Sequence, residues 1–176
     1  MMKCFELSVD FNGIVLFEPD RLVAYFGGSI DDGQNVYKAF TSSPAGDEVM
    51  EQGIVTPILG INDGFYKLFV RHSSEDAAIA DDLVVFENGE FPLEVGKSGS
   101  VALADLAVLR EWEDETGWNR IPITPGIYSI LIRGFRRIEN GELLECGYEF
   151  VLSSREALPR LTASLDKDVQ VLCLPE

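Results

Sequence analysis

Side chains that could carry out acid–base or nucleophilic chemistry are sparse in this sequence. It has one histidine, His72, and three cysteines, Cys4, Cys146 and Cys173. A histidine activates a serine or cysteine only when the two side chains lie within hydrogen-bond reach. The residues that follow His72, Ser73–Asp76, are more typical of the start of a helix than of a catalytic group. The sequence therefore predicts a non-enzymatic protein with no catalytic residue, and a hydrolase built on His72 with a carboxylate is the third of three functional hypotheses.

Motifs for phosphate and metal binding are incomplete. Gly96-Lys97-Ser98 resembles the end of a phosphate-binding loop, but Phe91 occupies the earlier position where that loop needs a glycine. The acidic pairs at 31–32, 81–82 and 166–168 lack the spacing of a calcium loop, and clustered cysteine and histidine ligands for zinc are absent. We predict no cofactor and no metal, while a calcium site assembled from distant acidic loops stays open.

The charge balance restricts the class of partner. The chain has 176 residues, with 14 lysines and arginines against 30 aspartates and glutamates, and a net charge of -16. The phosphate backbone of a nucleic acid would be repelled by such a surface, which excludes direct nucleic-acid binding through charge. Dispersed acidity instead favours association with basic proteins, because it steers their encounter.

One segment combines acidic and aromatic residues in a predicted loop, Glu111–Trp118. Tryptophan is enriched at binding hot spots, and acidic rims attract basic partners. The tryptophans could equally be core residues whose charged neighbours face water, or platforms on which a sugar or small molecule stacks. Our leading hypothesis is that this loop docks on and restrains a basic protein, and the alternative is a small-molecule or carbohydrate-binding module. The predicted partner-binding residues are Trp112, Glu113, Asp114, Glu115 and Trp118.

The elements that must position this loop are mostly β-strands. Residues 5–11 alternate between apolar and polar types, as in a strand with one buried face. Dipeptides that favour tight turns follow or precede apolar runs at Asn12-Gly13, Asp63-Gly64, Asn88-Gly89 and Asn140-Gly141. We predict an all-β fold, an antiparallel β-sandwich with one or two short helices that forms a single domain over residues 1–176, with a small barrel as the alternative.

The strongest strand predictions lie in the C-terminal half. Residues 126–133 and 146–152 are predicted to pair as a hairpin, and Val169–Leu174 is predicted as a closing strand.

Helical patterns are weaker than strand patterns. Residues 32–40 and 73–80 could each form a short helix, and residues 101–112 fit a helix or a strand equally well.

The main basic cluster lies on the predicted C-terminal hairpin. Arg133, Arg136 and Arg137 are expected to pair with carboxylates on the neighbouring strand, such as Glu145 or Glu149.

The expected compartment is the cytoplasm. The N-terminal residues lack the basic and apolar regions of a signal peptide, and the chain has no apolar run long enough to cross a membrane. Three cysteines without a close pair do not form a disulfide framework, so buried free thiols in a reducing compartment are expected.

Two segments resemble a known family. Residues 5–20, FELSVDFNGIVLFEPD, resemble the start of the competence protein J family, and residues 125–132, PGIYSILI, with the strand at 146–152, are similar to its C-terminal half. Together they cover about a third of the chain. Members of this family inhibit the DNA-entry nuclease of competent bacteria. The resemblance implies a bacterial binding protein without catalytic residues, a nuclease inhibitor or immunity protein.

Overall fold

The computed structural model describes residues 2–172, which form two packed β-sheets with short helices on one side. In chain order the elements are β1 (Lys3–Val9), β2 (Gly13–Phe17), α1 (Pro19–Tyr25), α2 (Val36–Ser42), α3 (Ala45–Glu51), β3 (Val55–Leu59), β4 (Gly64–His72), a 3₁₀ turn (Asp81–Leu83), β5 (Val84–Val95), β6 (Ser100–Asp105), a 3₁₀ helix (Leu106–Leu109), β7 (Asn119–Pro122), β8 (Gly126–Glu139) and β9 (Glu142–Arg155).

The strands confirm the predicted all-β sandwich. One sheet has the strand order β1-β4-β9-β8-β5 and the other has the order β3-β2-β6-β7. Neighbouring strands are antiparallel except for β4 and β9, which run parallel from Lys67 opposite Gly147 to His72 opposite Leu152. The prediction of purely antiparallel pairing is wrong for this pair, because β9 forms a hairpin with β8 along one edge and lies beside β4, which runs in the same direction, along the other.

Apolar side chains form three layers around the two sheets. The main core lies between the sheets and includes Leu68, Tyr148 and Phe150. A second cluster, with Phe17 and Leu109, lies between the four-stranded sheet and the helices. A third and smaller cluster lies on the outer side of the five-stranded sheet, beneath residues 73–83. The helices and the 73–83 loop therefore cover opposite sides of the sandwich.

The predicted turns have different fates. Asn140-Gly141 joins β8 and β9 with both residues at positive φ, 51° and 80°, which confirms the predicted hairpin. Asn12-Gly13 is not a hairpin turn, because β1 and β2 belong to different sheets and the turn is a corner between them. Asn88-Gly89 lies inside β5, where the pairing with β8 shifts register, so the predicted hairpin is wrong there as well.

The helices differ in number and place from the prediction of one or two. The predicted helix at 32–40 forms as α2, which begins after Asn35, whose side chain accepts a hydrogen bond from the Lys38 backbone at 2.8 Å. Residues 73–80 form no helix, because Ile79 packs on the sheet and the Ala78 backbone N–H bonds a strand carboxylate. Residues 101–112 contain all of strand β6 except its first residue, followed by the 3₁₀ helix.

The C-terminal segment, residues 156–172, runs along the sandwich without joining a sheet. The Thr162 N–H of this segment donates to the Glu90 carbonyl of the edge strand β5 at 3.0 Å. The Tyr148 hydroxyl donates to the Val169 carbonyl at 2.7 Å. The predicted strand Val169–Leu174 is therefore wrong over residues 169–172, whereas residues 173 and 174 lie outside the described residues.

The structure also tests the expectations of buried cysteines and of no membrane-spanning segment. Cys146 is buried, but Cys4 is exposed on β1, so the expectation of buried thiols is wrong for Cys4. Cys173 lies outside the described residues. Within residues 2–172, none of the helices has the length and apolar character needed to span a bilayer.

Candidate partner-binding face

The acid–aromatic loop is anchored by Trp112. This side chain is 2% exposed and packs in the cluster beneath the helices, with its ring centroid 6.0 Å from that of Phe17 and 5.0 Å from that of Trp118. Because its ring is buried, Trp112 has almost no surface to offer to a protein or a sugar. The role that its burial supports is to fix the position of the acidic residues beside it.

Trp118 closes the other end of the loop and is half-buried. Its ring stands edge-on to Phe17 at 5.1 Å, and the guanidinium of Arg120 lies 5.5 Å from its ring centroid. The two tryptophans thus pack on the same phenylalanine and hold both ends of the loop on the outer side of the four-stranded sheet.

The three predicted carboxylates are all exposed. Glu115 forms an ion pair with Arg120, in which the Nε–H of Arg120 donates to Oε2 of Glu115 at 3.1 Å. These hydrogen bonds hold the pKa of Glu115 below its ordinary value. Glu113 and Asp114 lie at the turn that the Thr116 N–H closes on the Glu113 carbonyl at 3.1 Å. The loop therefore presents Glu113 and Asp114 to solvent beside a paired Glu115.

The structure brings α1 next to this loop. An open cleft of about 550 Å³ separates them and is lined by Asp20 and Val23 from α1 and by Asp114, Glu115 and Arg120 from the loop side. The hydrogen bonds that Arg120 donates to Glu115, and further the charges of Glu115, Asp20 and Asp114, raise the pKa of Arg120. Three carboxylates therefore surround one guanidinium at this cleft.

The loop before α2 also joins this surface. The Gly33 N–H donates to the Trp112 carbonyl at 2.7 Å, and the Trp112 N–H donates to the Gln34 carbonyl at 3.1 Å. These two bonds place Asp31 and Asp32 beside the acid–aromatic loop. We call the exposed carboxylates of these three segments the acidic face: Asp20, Asp31, Asp32, Glu111, Glu113, Asp114 and Glu115.

Sequence reasoning found only one of these three segments. The sequence identifies Asp31 and Asp32 only as an acidic pair without the spacing of a calcium loop, and it gives no signal for Asp20. The nearest hint is the Pro19-Asp20 pair at the start of α1, which is typical of a helix N-terminus and not of a binding site. Among residues 2–172, no three histidine, cysteine or acidic side chains are grouped as metal ligands.

The buried carboxylate Glu18 lies two residues before Asp20 of the acidic face in the sequence. Its side chain caps α1 by accepting the backbone N–H groups of Asp20 and Arg21 at 3.1 and 3.3 Å. The Ser98 hydroxyl donates to it at 3.3 Å. Burial raises the pKa of Glu18 above its ordinary value of 4.5. Ser98 belongs to the incomplete phosphate motif, which forms a turn between two strands instead of the start of a helix.

The opposite side of the sandwich carries a buried ion network. Glu149 is fully buried and accepts hydrogen bonds from Arg71 at 2.6 Å and from Arg133 at 2.7 Å. Arg137 pairs with Glu145 at 3.1 Å. The expected pairing of the basic cluster with Glu145 and Glu149 is therefore confirmed for Arg133 and Arg137.

His72 lies at the end of β4, close to this network. Its ring lies 5.8 Å from that of Tyr128, and its backbone N–H donates to the Glu75 carboxylate at 2.8 Å. This arrangement gives the hydrolase hypothesis no support, because the carboxylate next to His72 is engaged by the backbone.

An apolar groove of about 220 Å³ opens between α2, α3 and β3. Neither Trp112 nor Trp118 is among the described residues that line it. The stacking platform of the small-molecule hypothesis is therefore not formed at this groove.

The fold is similar to that of two solved proteins, whereas no protein-family model and no curated protein sequence matches the chain. ComJ from Bacillus subtilis, described as an inhibitor of the DNA-degrading activity of NucA, superposes with a TM-score of 0.51 at 11% identity, over 87% of this chain and 96% of ComJ. The product of crocagin biosynthetic gene J superposes with a TM-score of 0.51 at 12% identity, over 88% of this chain and 96% of that protein.

These comparisons establish a shared fold and extend the expected resemblance from about a third of the chain to most of it. At such low identity they carry over no individual residue.

Proposed function

We propose that this chain is a non-enzymatic protein that docks on a basic partner protein through the acidic face and restrains it, with a nuclease as the partner class. The observation that carries the proposal is the acidic face itself. Three segments distant in sequence converge there and present seven exposed carboxylates. Among the described residues that line the cleft, Arg120 is the one basic side chain. The fold that the chain shares with ComJ, an inhibitor of a nuclease, supports the choice of partner class.

The electrostatics of the face suit a cationic partner. A surface lined by negative charge raises the local concentration of basic groups and speeds their association about 10-fold or more. This effect falls steeply as the salt concentration rises. The cleft beside α1 already holds one guanidinium, that of Arg120, between Asp20, Asp114 and Glu115. An arginine or lysine of a partner would meet the same chemistry in the open part of this cleft.

The carbohydrate and small-molecule alternative has weaker support. Pockets for drug-sized ligands are about 300–1,000 Å³ in volume. The apolar groove is smaller, at about 220 Å³, and the cleft beside α1, at about 550 Å³, has neither tryptophan among the described residues that line it. The buried ring of Trp112 cannot stack on a sugar.

The first experiment measures binding and inhibition together. NucA, whose DNA-degrading activity ComJ is described as inhibiting, is titrated with the chain at low and at high ionic strength. Both complex formation and DNA degradation are recorded. We expect binding that weakens at high ionic strength, together with slower DNA degradation. Cytochrome c serves as a basic protein that is not a nuclease.

Two matched double variants locate the contact. Glu113→Lys with Asp114→Lys changes the acidic face and leaves the Glu115–Arg120 pair intact. Asp76→Lys with Asp82→Lys makes the same change of charge in the loop that covers the opposite side of the sandwich. We expect the first variant to weaken binding about 10-fold or more and the second to weaken it much less.

Each outcome separates one part of the proposal from another. Binding to neither NucA nor cytochrome c at low ionic strength overturns docking to basic proteins. Binding without slower DNA degradation overturns nuclease inhibition alone. An equal loss of binding affinity in the two double variants would mean that the acidic face is not the contact and that binding depends only on the overall charge of the chain.

A further inference from the structure

The apolar groove lies on the same side of the sandwich as the acidic face. Its walls are Phe40 from α2, Val49 and Met50 from α3, Leu59 from β3, and Leu109 from the 3₁₀ helix. The two helices approach closely at Gly46, where an added Cβ would lie 2.4 Å from the Phe40 carbonyl oxygen. The groove is therefore shaped by the packing of two short helices on the outer side of the four-stranded sheet.

The size of the groove limits what can occupy it. A volume of about 220 Å³ is below the range of about 300–1,000 Å³ that is typical of pockets for drug-sized ligands. A single large apolar side chain is a better match in size. Its burial against these walls would be favourable because apolar surface would leave water on both partners.

The rim of the groove indicates the charge of the occupant. Asp47 is the one charged side chain among the described residues that line it, and it is exposed. Glu48 and Glu51 follow on the same helix, and α3 contains no basic residue. A ligand that carries a carboxylate, such as a fatty acid, would be repelled here, whereas an apolar side chain flanked by lysine or arginine would be attracted.

The groove is also close to the acidic face along the chain. Leu109 lines the groove, and the acid–aromatic loop begins two residues later, at Glu111. An apolar pocket with an adjacent charged rim is the usual anatomy of a protein-binding hot spot. The two features thus lie on the same side of the sandwich, and together they offer a site for an apolar anchor and a site for basic residues.

We propose that the groove receives a large apolar side chain, such as leucine, from a basic segment of the partner docked on the acidic face. This inference rests on the proposed function, because it assigns the anchor residue of the same interface. It predicts that recognition requires an apolar residue as well as positive charge.

Two helix positions allow a matched test. Thr41 lines the groove and Ser42 does not, yet both are exposed and both hydroxyls bond only to carbonyls of their own helix among the bonds described. Thr41→Trp should therefore fill the mouth of the groove without removing a core contact. Ser42→Trp adds the same bulk on a neighbouring surface position.

The probes are two short synthetic peptides, one with leucine between pairs of lysines and one with alanine in its place. Binding is followed by NMR chemical shifts of the full chain, together with circular dichroism to confirm that each variant is folded. We expect the leucine peptide to bind about 10-fold more tightly than the alanine peptide, with shifts at α2, α3 and Leu109. Thr41→Trp should abolish this preference, and Ser42→Trp should keep it.

The result distinguishes the groove from the face. Equal binding of the two peptides, or no binding of either, overturns the groove assignment, as does a preference that survives Thr41→Trp. These outcomes do not affect the salt-dependent NucA experiment, which tests the acidic face. A leucine preference at the groove in a chain that binds no basic protein would overturn the proposed function and leave the groove as an apolar site.

Discussion

Two buried carboxylates, one on each side of the sandwich, show how their surroundings decide what an acidic residue does. Glu18 at the start of α1 and Glu149 on β9 both have no exposed surface. Glu18 accepts backbone N–H groups and a hydroxyl, and burial raises its pKa. Burial acts on Glu149 in the same direction, but hydrogen bonds from Arg71, Ala78 and Arg133 outweigh it and lower its pKa.

The difference is in the partners and not in the burial. A carboxylate without a cation is stabilised in its neutral form when it leaves water, whereas one between two guanidiniums stays charged. The exposed carboxylates of the acidic face are a third case, because water solvates them and most can meet a partner's cations. The surroundings therefore divide the acidic residues into three kinds: a buried helix cap at Glu18, a buried ion-pair partner at Glu149 and solvated carboxylates on the acidic face.

The largest expected effect is from Glu149→Gln. Removal of this charge leaves Arg71 and Arg133, each 7% exposed, without their shared counter-charge. Breaking a buried ion pair in this way costs about 3–5 kcal/mol. Urea denaturation at neutral pH should show this loss relative to Glu142→Gln, which alters an exposed position of the same strand. A loss of less than about 1 kcal/mol would mean that the arginines find other partners.

The dependence of stability on pH should have opposite signs at the two sites. The pKa of Glu149 in the folded chain lies below its ordinary value of 4.5, so its contribution is complete above that pH and is lost as the pH falls through the folded value. The pKa of Glu18 lies above 4.5, so protonation stabilises the fold as the pH falls through its folded value. Each site changes stability by at most about 1.4 kcal/mol per pH unit.

The two glutamine variants isolate these contributions from the other titrating groups. As the pH falls through the acidic range, the free energy of unfolding of the wild type should approach that of Glu149→Gln and rise relative to that of Glu18→Gln. Parallel pH profiles for the wild type and both variants would contradict the assignment of opposite shifts.

A smaller effect is expected from Glu18→Gln at neutral pH. Glutamine keeps an oxygen that can accept the backbone N–H groups at the start of α1, and it no longer buries a charge. The lost charge-assisted bonds and the relieved desolvation should offset each other, which leaves the free energy of unfolding within about 1 kcal/mol of the wild type. A loss of unfolding free energy close to that of Glu149→Gln would show that the charge of Glu18 stabilises the fold as strongly as that of Glu149.

The sequence predicts those parts of the fold that leave a local pattern. Strands β4, β8 and β9 are rich in β-branched and aromatic residues with continuous runs of buried positions, and Asn140-Gly141 fits its turn type. The helices are weakly predicted, because the seven residues of each give less than two full turns of apolar periodicity: α2 was predicted, whereas α1 and α3 were missed. No local signal could have indicated the parallel pairing of β4 and β9, which depends on the order of strands in space.

The candidate site follows the same rule. The exposure of Glu113 and Asp114 agrees with a charged loop, but the burial of Trp112 depends on Phe17, which is distant in sequence. Asp20 and Asp31 join the face only through the packing of α1 and the hydrogen bonds to Trp112. A surface assembled from three segments leaves no spacing that a single sequence could display.

The smallest effect on stability is expected from the double variant Glu113→Lys with Asp114→Lys. Both side chains are exposed and solvated, so the free energy of unfolding should stay within about 0.5 kcal/mol of the wild type. Thermal and urea denaturation measure this directly, with Asp76→Lys and Asp82→Lys as the control. Large destabilisation would place these two carboxylates with Glu149, as structural groups, and any loss of partner binding in the variant would then reflect a disrupted fold. Unchanged stability together with weakened binding would instead separate the two roles, because the same reversal of charge would then act only on the complex.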